Sequence, residues 1–379
     1  MQTNEPSSVR RSLAYIPVLL SLLAWSPAAA QEPKAISSDQ TSKIDAAVAG
    51  IRKQLSIPGI SVAIVRNNQI TFRRGYGLSD LENQVPATAA SVFRIASASK
   101  PLAAVAAMQL VEKGKLDLDA PIQKYAPSFP TKAFPITTRQ LLAHLSGVRN
   151  YKSGEGERTN RYESLTEALA VFKDDPLEFE PGTKYSYTTL GYTLLGVVIE
   201  GASGMSYSTY LREQVLKPAG MLHTQVDDLY EIIPNRVRGY SPKVYGQFNG
   251  DWRNSALMDS SYKIPGGGLV STAEDLARFA IAVQNGVLIK PETFEQMSKS
   301  QRTRDGRETG YGYGWYIDRR EGRESDGSVW HGGVQSGFTS DLWILPNKHI
   351  AVVILTNLEG GGRLGLASLA NQIADIVLH

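Results

Sequence analysis

The sequence predicts an α+β protein in which strands from both ends of the chain form one antiparallel sheet. The stretch between them, about 79–310, shows mainly helical periodicity and polar loops. Amphipathic patterns at the two ends predict helices that flank the sheet. Runs rich in β-branched and aromatic residues, the predicted strands, lie at 60–65, 70–76, 328–330, 338–345 and 350–356.

The composition is typical of a soluble globular protein. Of 379 residues, 40 are Lys or Arg and 37 are Asp or Glu, so the formal net charge is only +3. This balance leaves no concentrated basic face and argues against nucleic acid as a partner. The lack of cysteine excludes disulfides, a thiolate nucleophile and Cys-ligated zinc. Because no H-E-x-x-H pattern occurs, we expect no metal site. We expect no other cofactor either.

The segment 1–30 has the pattern of a secretory signal peptide. An arginine pair precedes an apolar run at 13–25, and the alanines at 28–30 offer a small-residue cleavage site. The run is too short for a membrane span, which needs about 20 apolar residues. We expect cleavage to leave 31–379 as a single domain without a stable membrane anchor, either periplasmic or secreted. The general secretory route is favoured over the twin-arginine route, which stays open.

The terminal elements follow from residue spacing. Apolar residues recur every three or four positions over 38–55 and predict an amphipathic helix that ends before Pro58. The segments 66–69 and 346–349 are turn sequences that join consecutive strands into hairpins. A closing helix is predicted over 366–378.

The insertion contains six predicted helices and one conspicuous polar loop. The loop, at 149–163, is expected to be the most mobile segment. The helices are predicted over 100–113, 138–145, 165–172, 192–202, 206–216 and 272–284.

The pattern S-x-x-K occurs twice, at Ser97–Lys100 and Ser260–Lys263. One helical turn brings residues i and i+3 to the same face, so the lysine amine can take the proton of the serine hydroxyl. An apolar stretch at 102–111 follows the first pair and predicts a buried helix with the serine at its N-terminus, where free N–H groups favour a developing anion. The segment 264–268, with one proline and three glycines, is expected to break a helix and excludes the second pair.

Taken alone, Ser97 fits a helix N-cap better than a nucleophile, because capping is the commonest role of a serine there. Several motifs in order change that interpretation, since they resemble the penicillin-binding and class C β-lactamase superfamily of serine hydrolases. Within it, three segments look most like the branch of the mitochondrial serine β-lactamase-like protein and its bacterial relatives, which is associated with peptidase activity: 170–177, the Tyr-Thr-Thr variant at 187–189, and 261–268. The motifs lie at 93–101, 110–119, 141–148, 181–192 (the tyrosine motif) and 331–333 (the third motif).

The resemblance implies a β-lactamase/transpeptidase-like fold and a set of catalytic roles. Ser97 would attack the substrate carbonyl, and Lys100 would remove the serine proton directly or through Tyr187. Tyr187 would then protonate the leaving group. Because the ordinary pKa values of lysine and tyrosine lie near 10, either base would have to be tuned downward.

The resemblance also implies how the substrate is held. The backbone N–H groups of Ser97 and Val334 would form the oxyanion hole, and Gly332 and Gly333 would let the strand approach the substrate closely. His331 would orient the catalytic tyrosine and bind a substrate carboxylate.

Two positions depart from the usual family pattern. The substrate-binding position of the family's Y-x-N motif is Thr189, and no tyrosine in the chain has an asparagine two residues later. The third motif begins with His331, which titrates near neutrality, where a lysine is common. Both changes argue against an efficient β-lactamase.

These features together predict an exported serine hydrolase that cleaves peptide amide bonds through an acyl-enzyme on Ser97. A carboxylesterase and a weak class C-like β-lactamase are the enzymatic alternatives. The alternative from another class is a protein that binds peptidoglycan peptides with little turnover. The expected partner is a small peptide, ester or β-lactam substrate, and the oligomeric state is left open.

Overall fold

A seven-stranded antiparallel sheet joins sequence-distant parts of the chain. The computed structural model describes residues 1–3, 36–317, 327–360 and 363–379. Ala35–His379 form one compact unit. The predicted signal peptide at 1–30 lies outside the described residues, apart from the first three.

The sheet confirms the predicted α+β fold class. The strands of the described residues are β1 (Gly59–Arg66), β2 (Gln69–Asp80), β3 (Val85–Pro86), β4 (Phe93–Arg94), β5 (Gln225–Val226), β6 (Tyr240–Pro242), β7 (Trp252–Asn254), β8 (Leu269–Ser271), β9 (Tyr316–Ile317), β10 (Val329–Gln335), β11 (Phe338–Leu345) and β12 (Ile350–Thr356). The main sheet has the order β3-β2-β1-β12-β11-β10-β9, with every neighbouring pair antiparallel. Ile60 of β1 is paired with Thr356 of β12, so the two ends of the domain meet in the middle of the sheet.

Helices cover both faces of this sheet. The helices of the described residues are α1 (Ser38–Gln54), α2 (Ser99–Glu112), α3 (Thr138–Leu142), α4 (Leu165–Ala168), α5 (Thr189–Ser203), α6 (Tyr207–Tyr210), α7 (Ile264–Gly267), α8 (Ala273–Gln284), α9 (Pro291–Met297) and α10 (Arg363–Leu378). None of them is long and apolar enough to cross a membrane.

Alternating side chains of β1 divide the apolar core into two clusters. Ile60, Val62 and Ile64 pack in the cluster that contains residues of α1 and α10. Ala63 and Val65 belong to the larger cluster, which contains α2 and α8. Successive residues of a strand point to opposite faces, so a strand that is buried on both faces is almost continuously apolar.

The insertion differs from its prediction in detail. It contains two small sheets, β4-β8-β5 and β6-β7, whose strands of two or three residues are too short to show a period in the sequence. The helix predicted over 206–216 is α6 followed by a π-helical turn, Leu211–Leu216. The strand predicted at 328–330 extends to Gln335, because its glycines still pair with β11.

The start of α2 packs against the end of β10 and β11. A 3₁₀ turn, Ala96–Ala98, leads into α2. The hydroxyl of Ser340 on β11 donates to the carbonyl of Ile95 at 2.7 Å, which ties this turn to the sheet. Ala96 has a φ of 46°, in the left-handed region that residues other than glycine seldom adopt. Such strain costs about 1–3 kcal/mol and is typical of functional sites.

Candidate active site

Ser97 and Lys100 meet at the start of α2. The Nζ atom of Lys100 lies 3.0 Å from Oγ of Ser97, as the S-x-x-K spacing predicts. The N-cap position of α2 is Ala98, and no side-chain hydrogen bond caps the helix. The hydroxyl of Ser97 therefore contacts the lysine instead of capping the helix.

The amine of Lys100 is fully buried. Besides Ser97, it lies 2.6 Å from the carbonyl oxygen of Gly266 and 3.3 Å from Oγ1 of Thr189. Burial holds the pKa of Lys100 well below its ordinary value, and the nearby positive charge of Lys263 lowers it further. This environment favours the neutral amine, which can accept a proton from a serine hydroxyl.

Tyr187 shares the cavity with Ser97, and its ring lies 4.7 Å from Nζ of Lys100. Burial raises the pKa of Tyr187 well above its ordinary value, with a further contribution from Tyr316, while Ser97 acts in the opposite direction. Of the two candidate bases, Lys100 is therefore the one with the lowered pKa that a base requires. The phenol of Tyr187 stays protonated, whereas the neutral form of the lysine amine is favoured.

The surroundings of His331 do not match its predicted carboxylate-binding role. Its side chain is fully buried, and the ring centroids of His331 and Tyr187 are 6.2 Å apart. Nδ1 donates to the carbonyl of Gly332 at 2.8 Å, so Nε2 accepts from the hydroxyl of Tyr311 at 3.0 Å. Burial lowers the pKa of His331 to about 3. The histidine is neutral near neutrality and lies on the packed side of β10, so it does not form the expected cationic site for a carboxylate.

The glycines of β10 allow the strand to pass directly beside the nucleophile. A Cβ atom on Gly333 would lie 2.5 Å from the oxygen of Ile95 and 2.6 Å from the backbone nitrogen of Ser97. These distances are too short for any real contact, so only glycine fits. Gly332 and Val334 also line the cavity, and Val334 is 41% exposed. Ser97 and Val334, the predicted oxyanion-hole residues, thus line the same cavity.

A cavity of about 400 Å³ opens above these residues. Tyr316 and Trp330, which the sequence analysis did not single out, form an aromatic wall with ring centroids 4.6 Å apart. Tyr316 also stacks against Tyr187 at 6.1 Å. Asp341 of β11 also lines the cavity. The two aromatic residues lie on β9 and β10, outside the motifs, and no local spacing indicates their role.

Asn150 is a further cavity residue that sequence analysis missed. It lies two residues after the 141–148 motif, and its Oδ1 accepts from the backbone N–H of Thr189 at 3.0 Å. Thr189 itself is 6% exposed and contacts Lys100 instead of lining the cavity. This geometry therefore does not support the predicted role of Thr189 in substrate binding.

The second S-x-x-K pair is buried, and the segment that follows it differs from the prediction. Ser260 is fully buried, and its hydroxyl donates to Asp227 at 3.2 Å. The segment expected to break a helix forms the one-turn helix α7, in whose first turn proline is tolerated. Burial lowers the pKa of Lys263 to about 7, with Arg94 contributing. This segment thus supports the site through the carbonyl of Gly266 and the charge of Lys263.

Comparison with known proteins places this geometry in a family. The beta-lactamase family model matches residues 44–374. The mitochondrial serine beta-lactamase-like protein LACTB of Homo sapiens is 30% identical, over 93% of this chain and 83% of that protein. The octameric penicillin-binding protein homologue from Pyrococcus abyssi is 26% identical with a TM-score of 0.73, over 89% of this chain and 77% of that one. The D-amino acid amidase from Ochrobactrum anthropi SV3, at 24% identity and a TM-score of 0.75 over 90% and 99% of the two chains, shares the fold. The chain therefore belongs to the beta-lactamase family, within the serine beta-lactamase and transpeptidase superfamily of hydrolases.

Proposed function

We propose that this protein is an exported serine hydrolase that cleaves amide bonds of small peptides through an acyl-enzyme on Ser97. The observation that carries the proposal is the contact of 3.0 Å between Oγ of Ser97 and a buried lysine amine whose pKa is lowered. A serine hydroxyl is a weak nucleophile unless an adjacent base takes its proton.

The contacts of Lys100 account for a neutral amine. The carbonyl of Gly266 can only accept, and Oγ1 of Thr189 can accept as well, so both N–H bonds of the amine have partners. The lone pair then faces the hydroxyl of Ser97. As the serine oxygen bonds to the substrate carbonyl carbon, its proton passes to this lone pair, and the lysine becomes an ammonium.

Tyr187 is the proposed acid for the leaving group. Its raised pKa keeps the phenol protonated near neutral pH, where the lowered pKa of Lys100 favours the neutral amine. When the tetrahedral intermediate collapses, the phenol gives its proton to the departing nitrogen and recovers one from the Lys100 ammonium. Deacylation reverses these transfers, with water in the place of the leaving group.

The oxyanion is assigned to the backbone N–H groups of Ser97 and Val334. Two N–H donors aimed at the developing negative charge are the usual means of stabilising a tetrahedral intermediate. The assignment is supported by Gly333, whose lack of a side chain lets β10 approach the backbone nitrogen of Ser97.

The cavity favours an uncharged group beside the scissile bond. No lysine or arginine is among the described residues that line it, and the position often held by a cation is the neutral His331. These features favour amides and esters over β-lactams and free C-terminal carboxylates, and an esterase is the second candidate. Amide hydrolysis has a precedent in the fold, in the D-amino acid amidase.

Fluorophosphonate labelling combined with hydrolysis assays tests the proposal. We expect covalent labelling of the mature protein at Ser97, and turnover of peptide amides and p-nitrophenyl esters well above that of nitrocefin. Ser97→Ala should abolish both labelling and turnover. Ser260→Ala, in the matched S-x-x-K pair, should retain them. Labelling without turnover would favour the peptide-binding alternative, and labelling that survives in Ser97→Ala would refute the assigned nucleophile.

Export is proposed from the segment 1–30 alone. N-terminal sequencing of the protein recovered from a periplasmic or culture-medium fraction should begin at Gln31. Recovery of the uncleaved chain in the cytoplasmic fraction would contradict this part of the proposal.

A further inference from the structure

The active site lacks an asparagine at the position where its family usually has one. Thr189 stands there, and its hydroxyl lies 3.3 Å from the lysine amine. A threonine has no N–H donor to offer a substrate carbonyl. We propose that Asn150, from the loop before α4, is the substrate-binding asparagine of this site, and that it donates to an amide carbonyl on the acyl side of the substrate. This assignment rests on the proposed acyl-enzyme at Ser97.

The orientation of the Asn150 amide follows from its partner. The backbone nitrogen of Thr189 is a donor, so the Asn150 atom at 3.0 Å from it must be the oxygen, Oδ1. The Nδ2 group then lies on the other side of the amide plane. No hydrogen bond of Nδ2 occurs within the described part of the chain, although Asn150 lines the same cavity as Ser97 and Tyr187. A fixed donor without a protein partner is thus available beside the nucleophile.

The backbone around Asn150 is held from several sides. Arg149 is 7% exposed and pairs with Glu155 and Asp175, each at 2.6 Å. The hydroxyl of Thr188, at the N-cap of α5, donates to the carbonyl of Arg149 at 2.7 Å. Arg149 in turn donates to the carbonyl of Asn150 at 2.8 Å.

The start of the loop expected to be the most mobile segment is therefore tied to the N-terminus of α5. A binding group is effective only when its neighbours fix its position, and these contacts supply that fixation. The ion pairs of Arg149 are what the sequence prediction of a mobile loop did not foresee.

The substrate class follows from the chemistry of the free donor. The N–H group can donate a hydrogen bond to a carbonyl oxygen of the substrate. It makes no such bond with an alkyl chain in the same place. An N-acylated amino acid has such an oxygen, four bonds from its reactive carbonyl carbon. We therefore expect preference for N-acylaminoacyl groups over simple alkanoyl groups of equal length.

A matched substrate pair isolates this interaction. The p-nitrophenyl esters of N-acetylglycine and of pentanoic acid have the same leaving group and the same chain length, and differ in the internal amide. The measured quantity is the ratio of kcat/KM for the acetylglycyl ester to that for the pentanoyl ester. Effects on Ser97, Lys100 and Tyr187 that both esters share cancel in this ratio.

Two substitutions separate substrate binding from helix capping. Asn150→Asp keeps an oxygen for the N–H of Thr189 and loses the donor, whereas Asn150→Ala loses both. We expect the ratio to fall about tenfold in both variants, the usual effect of one lost hydrogen bond, and the melting temperature to fall only in Asn150→Ala. Lys152→Ala, an exposed residue of the same loop outside the cavity, should leave the ratio unchanged.

The outcomes distinguish this inference from the proposed function. If Asn150→Asp keeps the wild-type ratio, Asn150 serves only as a cap of α5, and the inference is overturned. A similar drop in Lys152→Ala would attribute the effect to loosening of the loop and would overturn it as well. If fluorophosphonate fails to label Ser97 in the wild-type protein, the proposed function is refuted, and the inference about Asn150 is refuted with it.

Discussion

The buried imidazole of His331 leads to a quantitative prediction about stability in acid. Burial lowers its pKa to about 3 in the folded protein, whereas in the unfolded chain the value returns to about 6.5. Between these two values the unfolded chain binds a proton that the folded protein does not. The free energy of unfolding therefore decreases as the pH falls through this range.

The size of the effect follows from one proton per molecule. Near pH 5 the histidine contributes a slope of about 1.3 kcal/mol per pH unit, or about 2.5 kcal/mol between pH 4 and pH 6. His331→Gln removes this titration, while its carbonyl can still accept from the hydroxyl of Tyr311 and its amide can still donate to Gly332. We expect the variant to be less stable at pH 7 and to lose less stability on acidification.

Urea unfolding followed by far-UV circular dichroism, at several values between about pH 4 and pH 7, measures both slopes. Carboxylates and the buried His144 are present in both proteins, so their titration cancels in the difference. His349→Asn is the control, because this histidine is already exposed in the turn between β11 and β12 and has a positive φ that asparagine tolerates. Parallel curves for the wild type and His331→Gln would refute the reasoning.

Three further predictions concern the reaction and its supporting strand. Gly333→Ala forces a Cβ to within 2.6 Å of the nitrogen of Ser97, so it should lower both kcat/KM and stability, the latter by about 1–3 kcal/mol. Gly332→Ala, whose nearest neighbour lies at 3.3 Å, should lose less in the same thermal melts; equal losses would contradict the clash. Lys100→Arg cannot supply a neutral base, so fluorophosphonate labelling should slow by about 100-fold or more, and a near-normal rate would exclude Lys100 as the base. Because His331 stays neutral, the ratio of kcat/KM for a carboxylated peptide to that for a neutral ester should be constant between about pH 6 and pH 8. A ratio that falls as the pH rises would instead show that a cationic His331 binds the carboxylate.

Local spacing in the sequence was sufficient for much of the fold. The helix predicted over 38–55 is α1 (Ser38–Gln54), and the strands predicted at 338–345 and 350–356 have those same bounds. These elements depend on residues a few positions apart, so their periodicity is visible in one dimension. The contact between Ser97 and Lys100 was predictable for the same reason, because one helical turn sets it.

The spacing of residues in the sequence could not predict the protonation states of the active-site residues. The sequence identified a lysine, a tyrosine and a histidine, but their pKa values depend on how deeply each is buried and on which charges lie nearby. Burial favours the neutral amine of Lys100, keeps Tyr187 protonated and removes the charge of His331. The predicted carboxylate site failed because alternation along β10 turns His331 into the packed side.

The sequence by itself therefore determined the α+β fold, the order of the motifs and the Ser97–Lys100 pair. Only the tertiary structure decided that Asn150 contacts Thr189, that Gly266 accepts from Lys100, and that Tyr316 and Trp330 form a cavity wall. These contacts join segments that are distant in the chain, and no periodicity of the sequence relates them. They arise when the sheet and the helical insertion pack together, and the same packing removes the water that would otherwise set the pKa values.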